Sequence, residues 1–169
     1  MSNKAVASKQ SGLEGNEKPT GSIDSLLLKV RENLEKVEAI QRKKKILIVD
    51  DNIYIRDVLA RLLEYEHFNV VIAEDGRAGL DKAGETHPDL IIIDFNMPHL
   101  NGADTIKLLR EQQDFRSVPI ISITAYGQEA VQQTLEAGAD RVMIKPLETD
   151  ALLEIIRELL ADPMPDRED

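Results

Sequence analysis

From residue 46 onward, short runs of consecutive apolar residues alternate with longer segments in which apolar residues recur every three or four positions. Such uninterrupted runs are typical of strands that are buried on both faces. They predict five strands, at 46–49, 70–73, 90–93, 118–123 and 141–144. The wider spacing between them predicts five helices, at 53–66, 77–86, 102–112, 129–137 and 149–161.

The regular alternation of strands and helices predicts an α/β fold. Five strand–helix units with buried strands imply a parallel sheet covered by helices on both faces. Right-handed crossovers then give an open three-layer sandwich. In folds of this type ligands bind at the carboxyl ends of the strands. The residues that follow each strand are therefore the candidates for function.

The N-terminal part of the chain has a different pattern. Residues 1–21 are polar and are expected to be disordered. A helix is predicted over 22–42, with Ser22 or Ser25 as its N-cap. Its apolar residues form one stripe, with Leu26 and Ile40 at the flank: Ile23, Leu27, Val30, Leu34 and Val37.

Three roles for this stripe remain open. The helix either packs on its own domain, forms a homodimer through residues 22–41, or docks on a partner protein. The α/β domain then occupies 43–161, and a Pro-rich acidic tail follows at 162–169.

Composition and charge exclude several classes of function. The chain of 169 residues has a net charge of −10 and no cysteine, which excludes disulfides and thiolate metal sites. Residues 1–45 carry a balance of +4 and residues 46–169 a balance of −14. The acidic body argues against a nucleic-acid partner. No secretory signal or membrane-length apolar run is present, so we expect a cytoplasmic protein with no membrane contact.

Polar residues that could take part in chemistry follow or end four of the predicted strands. Asp50 and Asp51 follow the first strand, Asp94 ends the third, Thr124 ends the fourth and Lys145 follows the fifth. Three carboxylates at one edge of a sheet repel one another unless a cation lies among them. Because all the donors are oxygen, Mg²⁺ is the expected cofactor.

This set of groups is suited to phosphoryl transfer. A carboxylate beside Mg²⁺ can attack phosphorus, and the ammonium of Lys145 and the hydroxyl of Thr124 can neutralise the peripheral phosphoryl oxygens. The predicted product is an aspartyl phosphate.

From Lys45 to about Leu160 the chain resembles the receiver domains of two-component response regulators. The resemblance rests on five motifs in order and at the family's spacing: Ile48-Val49-Asp50-Asp51-Asn52, Asp94-Phe95-Asn96-Met97-Pro98, Gly102, Thr124-Ala125 and Lys145-Pro146. It implies a flavodoxin-like (βα)5 sandwich with strand order 2-1-3-4-5. It also implies phosphorylation by a histidine kinase or a phosphotransfer protein.

The resemblance assigns a role to each site residue. Asp94 is the implied phosphoacceptor, and the implied Mg²⁺ ligands are Asp51, Asp94 and the Asn96 backbone carbonyl, with Asp50 acting through a metal-bound water. Thr124 and Lys145 are expected to bind phosphoryl oxygens, and Lys145-Pro146 is expected to be a cis peptide.

Three further positions concern switching and phosphate lifetime. Many receivers carry an aromatic residue where this chain has Val142, which puts an aromatic switch in doubt. Asn96 and Tyr126 stand at positions that tune dephosphorylation in the family, where Tyr126 either shields the phosphate or is a surface aromatic. His67, His87 and His99 have no ligand spacing and are interpreted as surface residues.

Two competing functions are weaker. Aspartyl-phosphate hydrolases carry a second Asp two residues after the nucleophile, where this chain has Asn96, which cannot give a proton to a leaving group. A binding module without chemistry would not need all five polar residues. We therefore expect a phosphoacceptor that is not an enzyme in its own right. No DNA-binding output domain is expected after the last helix, so output should pass through a downstream protein target.

Overall fold

The computed structural model describes residues 21–125 and 127–161. The predicted tails at 1–21 and 162–169 lie outside these residues, apart from Gly21. The chain separates into two compact units, with the division between Arg42 and Lys43. Within the described residues, no helix is both long and apolar enough to cross a bilayer.

The first unit contains one helix, α1 (Gly21–Gln41). It begins before both predicted N-caps, so Ser22 and Ser25 lie inside the helix rather than at its start. Helix ends are the least certain part of a sequence-based assignment, because the first turn has no i−4 acceptors.

The second unit is built on a five-stranded parallel sheet with the order β2-β1-β3-β4-β5. This order confirms the predicted flavodoxin-like arrangement. The strands are β1 (Lys45–Val49), β2 (Asn69–Ala73), β3 (Leu90–Asp94), β4 (Ile120–Thr124) and β5 (Arg141–Ile144).

Five helices cover the sheet: α2 (Ile53–Tyr65), α3 (Gly76–Thr86), α4 (Gly102–Glu111), α5 (Gln128–Glu136) and α6 (Thr149–Ala161). All five were predicted to within one residue at each end. A short 3₁₀ helix (Gln113–Phe115) between α4 and β4 was not predicted. Gly138 ends the α5 segment with a φ of 106°, the left-handed conformation that its position after a helix indicated.

The core consists of two apolar layers, one on each face of the sheet. One layer packs α2 and α6 against alternate residues of β1, β3 and β4, and the other packs α3 and α4 against the remaining residues. Every residue of β3 and β4 is buried, including the polar Asp94, Ser122 and Thr124, so both strands are covered on both faces as expected.

Strand β4 begins two residues later than predicted. The carbonyl of Val118 accepts a hydrogen bond from Arg110 Nη1 at 2.7 Å, so it is bonded to a side chain. Pro119 has no N–H to donate, although its carbonyl accepts from Ile91. Arg110 is held in place by Asp140, whose carboxylate lies 2.9 Å from its Nη2.

The basic run Arg42–Lys45 is partly structural. Lys44 Nζ lies 3.5 Å from Asp89 Oδ1, and Lys45 Nζ donates to the Thr86 carbonyl at the end of α3. Both contacts are at the edge of the sheet opposite to the carboxyl ends of the strands. These contacts indicate that the basic run is a linker that anchors β1, rather than a basic patch that is free to bind a partner.

Candidate functional site

Asp50 and Asp51 lie at the turn between β1 and α2. Asp50 is 2% exposed, and its Oδ1 accepts a hydrogen bond from Asn52 N at 2.8 Å. Asn52 caps α2 by accepting from Tyr54 N at 3.0 Å. Asp51 is exposed. The turn therefore both starts helix α2 and carries two carboxylates.

Asp94 is the last residue of β3 and is 3% exposed. Its Oδ2 accepts from Asn96 N at 2.7 Å, and its Oδ1 lies 2.5 Å from Lys145 Nζ. Gly102, the first residue of α4, packs directly behind it. A Cβ at Gly102 would stand 2.5 Å from the Asp94 carbonyl oxygen, which leaves room only for glycine.

Lys145 reaches the carboxylates from the turn after β5. Its backbone N–H donates to the Thr124 carbonyl at 2.8 Å, and the following bond to Pro146 is cis, as predicted. The ammonium contacts Asp94 and lies 3.8 Å from Asp50 Oδ2, within ion-pair range but too far for a hydrogen bond.

Thr124 is fully buried at the carboxyl end of β4, next to the end of β3. Two residues earlier on the same strand, Ser122 is also fully buried and its hydroxyl has no hydrogen-bond partner. Val142, at the position where many receivers have an aromatic, is partly buried and pairs with Ser122 across the β4–β5 ladder.

Burial is the main cause of the unusual electrostatics at Asp50. Desolvation raises the pKa of this carboxyl above its ordinary value, and the negative charges of Asp94 and Asp51 raise it further. The hydrogen bond from Asn52 N and the positive charge of Lys145 act in the opposite direction but do not cancel the increase.

The residues present fit a hard divalent cation. Asp50 Oδ2 is a buried carboxylate oxygen without a hydrogen-bond partner, and its neighbours are the carboxylates of Asp51 and Asp94. Oxygen donors of this kind are the ligands that Mg²⁺ prefers. Within residues 21–125 and 127–161, no three acidic, histidine or cysteine groups are already gathered as a metal cage.

Two residues support the site although the sequence analysis assigned no role to either of them. Arg56, on α2, is 8% exposed, and its Nη1 donates to the Asp50 carbonyl at 2.5 Å. Gly102 was part of the motif but had no assigned role. For Arg56 the only sequence signal was a charged residue on the inward side of an amphipathic helix, one position after the apolar Ile55.

Among the remaining predicted positions, Asn96 contacts the carboxylates through its backbone N–H, which donates to Asp94 Oδ2. Asn96 is exposed on the loop after β3, and Tyr126 lies outside the described residues. The three histidines are exposed, as predicted, and each has a positive φ. An apolar groove of about 400 Å³ opens beside Lys145, between α2 and α6.

The chain matches a known family over most of its length. The model of the response regulator receiver domain matches residues 46–157. A probable transcriptional regulator, ycf27 of Cyanophora paradoxa, is 42% identical over 119 residues, which cover 70% of this chain and 48% of that protein. The chain thus spans about half the length of the curated relatives that it matches in this way.

Solved structures agree with this match. The chemotaxis response regulator CheY4 of Vibrio cholerae is 33% identical with a TM-score of 0.67, covering 70% of this chain and all of that one. The receiver domain of the sensor histidine kinase PA1611 from Pseudomonas aeruginosa PAO1 is 28% identical with a TM-score of 0.68, covering 72% and 100%. That structure has a magnesium ion coordinated in its active-site cleft.

Proposed function

Because this chain belongs to the family of response regulator receiver domains, we propose that it accepts a phosphoryl group on Asp94 in a two-component phosphorelay. The donor is the phosphohistidine of a histidine kinase or a phosphotransfer protein. The observation that carries the proposal is the contact of Lys145 Nζ with Asp94 at 2.5 Å, beside the buried Asp50. The three residues come from three separate strand ends.

In the proposed reaction the Asp94 carboxylate attacks the phosphorus atom. The new bond joins the carboxylate oxygen to phosphorus, and the bond from phosphorus to the histidine nitrogen breaks. The nitrogen keeps the electron pair of that bond. Lys145 and the hydroxyl of Thr124 bind peripheral oxygens of the phosphoryl group, which carry the charge of the transition state.

Mg²⁺ is the proposed cofactor, held by the carboxylates of Asp51 and Asp94, the Asn96 carbonyl and, through a water, Asp50. When bound, it neutralises negative charge on the carboxylates and on the phosphoryl oxygens. The orphaned Asp50 oxygen supports this assignment. So does the magnesium ion in the PA1611 receiver domain.

Asn96 and Tyr126 are proposed to tune the rate of dephosphorylation. Asn96 stands two residues after Asp94, and Tyr126 stands two residues after Thr124. Beyond its own phosphorylation and dephosphorylation, we propose no catalytic activity. Asn96 is an amide, so the position two residues after Asp94 has no acid that could protonate a leaving group.

The phosphoryl donor is proposed to approach from the side of α2 and α6. The apolar groove there is lined by Lys145 and Pro146, so a helix seated in it would lie next to the phosphoacceptor. Signal output is proposed to pass through contacts with a downstream protein.

The test is the intact mass of the protein after incubation with Mg²⁺ and acetyl phosphate. We expect the gain of one phosphoryl group in the parent, no gain in Asp94→Asn, and no gain when EDTA replaces Mg²⁺. The variant keeps the size of the side chain and removes the nucleophile. An unmodified parent that is folded by circular dichroism, or equal gain in parent and variant, would refute the assignment of Asp94.

A further inference from the structure

Helix α1 presents an unusually apolar surface. Where the structure describes its side chains, the leucines, isoleucine and valines are between 48% and 66% exposed, and they are Ile23, Leu26, Leu27, Leu28, Val30, Leu34 and Val37. Scattered exposed apolar residues are ordinary, but a continuous face of this kind marks an interaction surface. Most of the stability of a helix in a protein comes from packing of its apolar face, so this helix of 21 residues is expected to have a partner.

The spacing of these residues fits packing against identical helices. Six of the seven lie on one side, and five of them are separated by four, three, four and three residues, the a and d positions of a heptad repeat. Leu27 and Leu34 take position a, whereas Ile23, Val30 and Val37 take position d. Leu28 lies on the opposite side of the helix, at position b.

The residue types at these positions indicate more than two strands. β-branched residues at a with Leu at d favour two-stranded coiled coils, and the reverse arrangement favours larger bundles. This helix has the reverse arrangement. Leu26, at position g, widens the apolar face beyond the narrow a/d seam that a single neighbour covers.

We propose that four copies of this chain assemble through α1 into a four-stranded helical bundle, with the helices parallel. The occupant of the apolar face is thus the same helix in other copies of the chain. The assembly is independent of phosphorylation chemistry and would bring four receiver domains into one particle.

The flanking charges favour the parallel orientation. In a parallel bundle position e faces position g of the neighbour, so Arg31 meets Leu26 and no like charges meet. In a fully overlapped antiparallel pair, position e faces position e. Arg31 would then lie beside Arg31 of the neighbouring copy, which is destabilising.

Two adjacent leucines provide a matched test. Leu27 and Leu28 are 61% and 59% exposed on the same helix, but only Leu27 lies in the proposed seam. We expect the full-length parent and Leu28→Glu to sediment at four times the chain mass of 18.9 kDa. We expect Leu27→Glu to sediment as a single chain. A parent that is monomeric or dimeric, or two variants that behave alike, would overturn the proposal.

A second variant tests the number of strands. This variant carries five substitutions that keep the apolar face and create the two-stranded pattern: Leu27→Ile, Leu34→Ile, Ile23→Leu, Val30→Leu and Val37→Leu. We expect this variant to form a dimer, which has half the particle mass of the parent. An unchanged particle mass would refute the argument from residue type.

Orientation is tested by cross-linking. The chain has no cysteine, so Ile23→Cys introduces a single thiol. Oxidation is expected to link copies of this variant to one another. Failure to link, together with linking in a mixture of Ile23→Cys and Val37→Cys chains, would show antiparallel helices and overturn the parallel assignment.

Discussion

Replacing Asp50 by Asn is expected to stabilise the protein in the absence of divalent metal. The raised pKa of Asp50 means that the folded state disfavours its ionised form more than the unfolded state does. When it is ionised, this carboxyl places a negative charge in a buried position of the folded protein. Asn keeps an oxygen to accept the 2.8 Å hydrogen bond from Asn52 N, and it removes the charge.

The expected gain follows from the surroundings of one atom. Asp50 Oδ2 is buried without a hydrogen-bond partner and is repelled by the charges of Asp94 and Asp51, and a charged group left in this way costs at least about 1–3 kcal/mol. The amide of the variant carries no charge and is free of this repulsion. Part of this cost is offset by Lys145, whose ammonium lies 3.8 Å away and whose attraction the amide loses. We therefore expect a gain of about 1–2 kcal/mol, or an increase in Tm of about 2–6 °C for a chain of this size.

The pH dependence gives the same sign by a second route. A carboxyl whose folded-state pKa is raised stabilises the fold below its unfolded value, here 3.8, and this stability is lost as the pH increases through the folded-state pKa. In EDTA, the parent should therefore lose stability across that window as the pH increases. The Asn variant should lack this component.

Urea unfolding in EDTA, followed by circular dichroism, measures both effects. Asp51→Asn is the matched control, because Asp51 is the exposed neighbour and its loss should change the free energy of unfolding by less than about 0.5 kcal/mol. Adding Mg²⁺ should stabilise the parent, by about 2.7 kcal/mol at a hundredfold excess over Kd, and should have a much smaller effect on the Asp50 variant. A variant that is less stable than the parent in EDTA would refute the reasoning.

Three other substitutions follow from the packing and are measured by the same unfolding assay. Gly102→Ala should cost about 1–3 kcal/mol, because its Cβ would lie 2.5 Å from the Asp94 carbonyl oxygen. Gly84→Ala, inside α3, should gain about 0.5–1 kcal/mol, because its Cβ would meet nothing within 4 Å. Equal effects of the two substitutions would contradict the close approach at Gly102. His67→Gly should stabilise by about 0.5–1 kcal/mol, because its φ of 67° suits glycine, and a loss of stability would show that the imidazole makes a contact of its own. Arg110→Met should cost about 3–5 kcal/mol, because it removes a buried ion pair with Asp140 together with hydrogen bonds to the Val118 and Gly138 carbonyls. Arg141→Met breaks an exposed pair with Glu158 and should cost less than about 1 kcal/mol, and comparable losses would refute the distinction.

The amino-acid pattern alone determined the fold class and most of the element boundaries. Strands buried on both faces need unbroken apolar runs, and helices that cover a sheet need one apolar side, so both leave a readable period in the sequence. β4 shows the limit of this reasoning. Val118 is apolar, but its carbonyl bonds to the Arg110 side chain, a contact that the pattern of apolar residues does not report.

The candidate site was predictable for a topological reason. In a parallel sheet the carboxyl ends of all strands share one edge, so residues that follow separate strands are brought together whatever the intervening helices contain. Asp50, Asp94 and Lys145 were identified in this way. In the structure the Lys145 ammonium lies within ion-pair distance of both carboxylates. Their assigned roles remain predictions.

Only the tertiary structure decided how these groups meet. The orphaned oxygen of Asp50, the hydrogen bond from Arg56 to the Asp50 carbonyl and the close approach of Gly102 to Asp94 all depend on the distance at which a strand end meets a neighbouring helix. Sequence periodicity reports which side of an element is apolar, because burial selects residue type. It does not report the few tenths of an ångström by which neighbouring elements approach, since those are set by the packing of the whole domain.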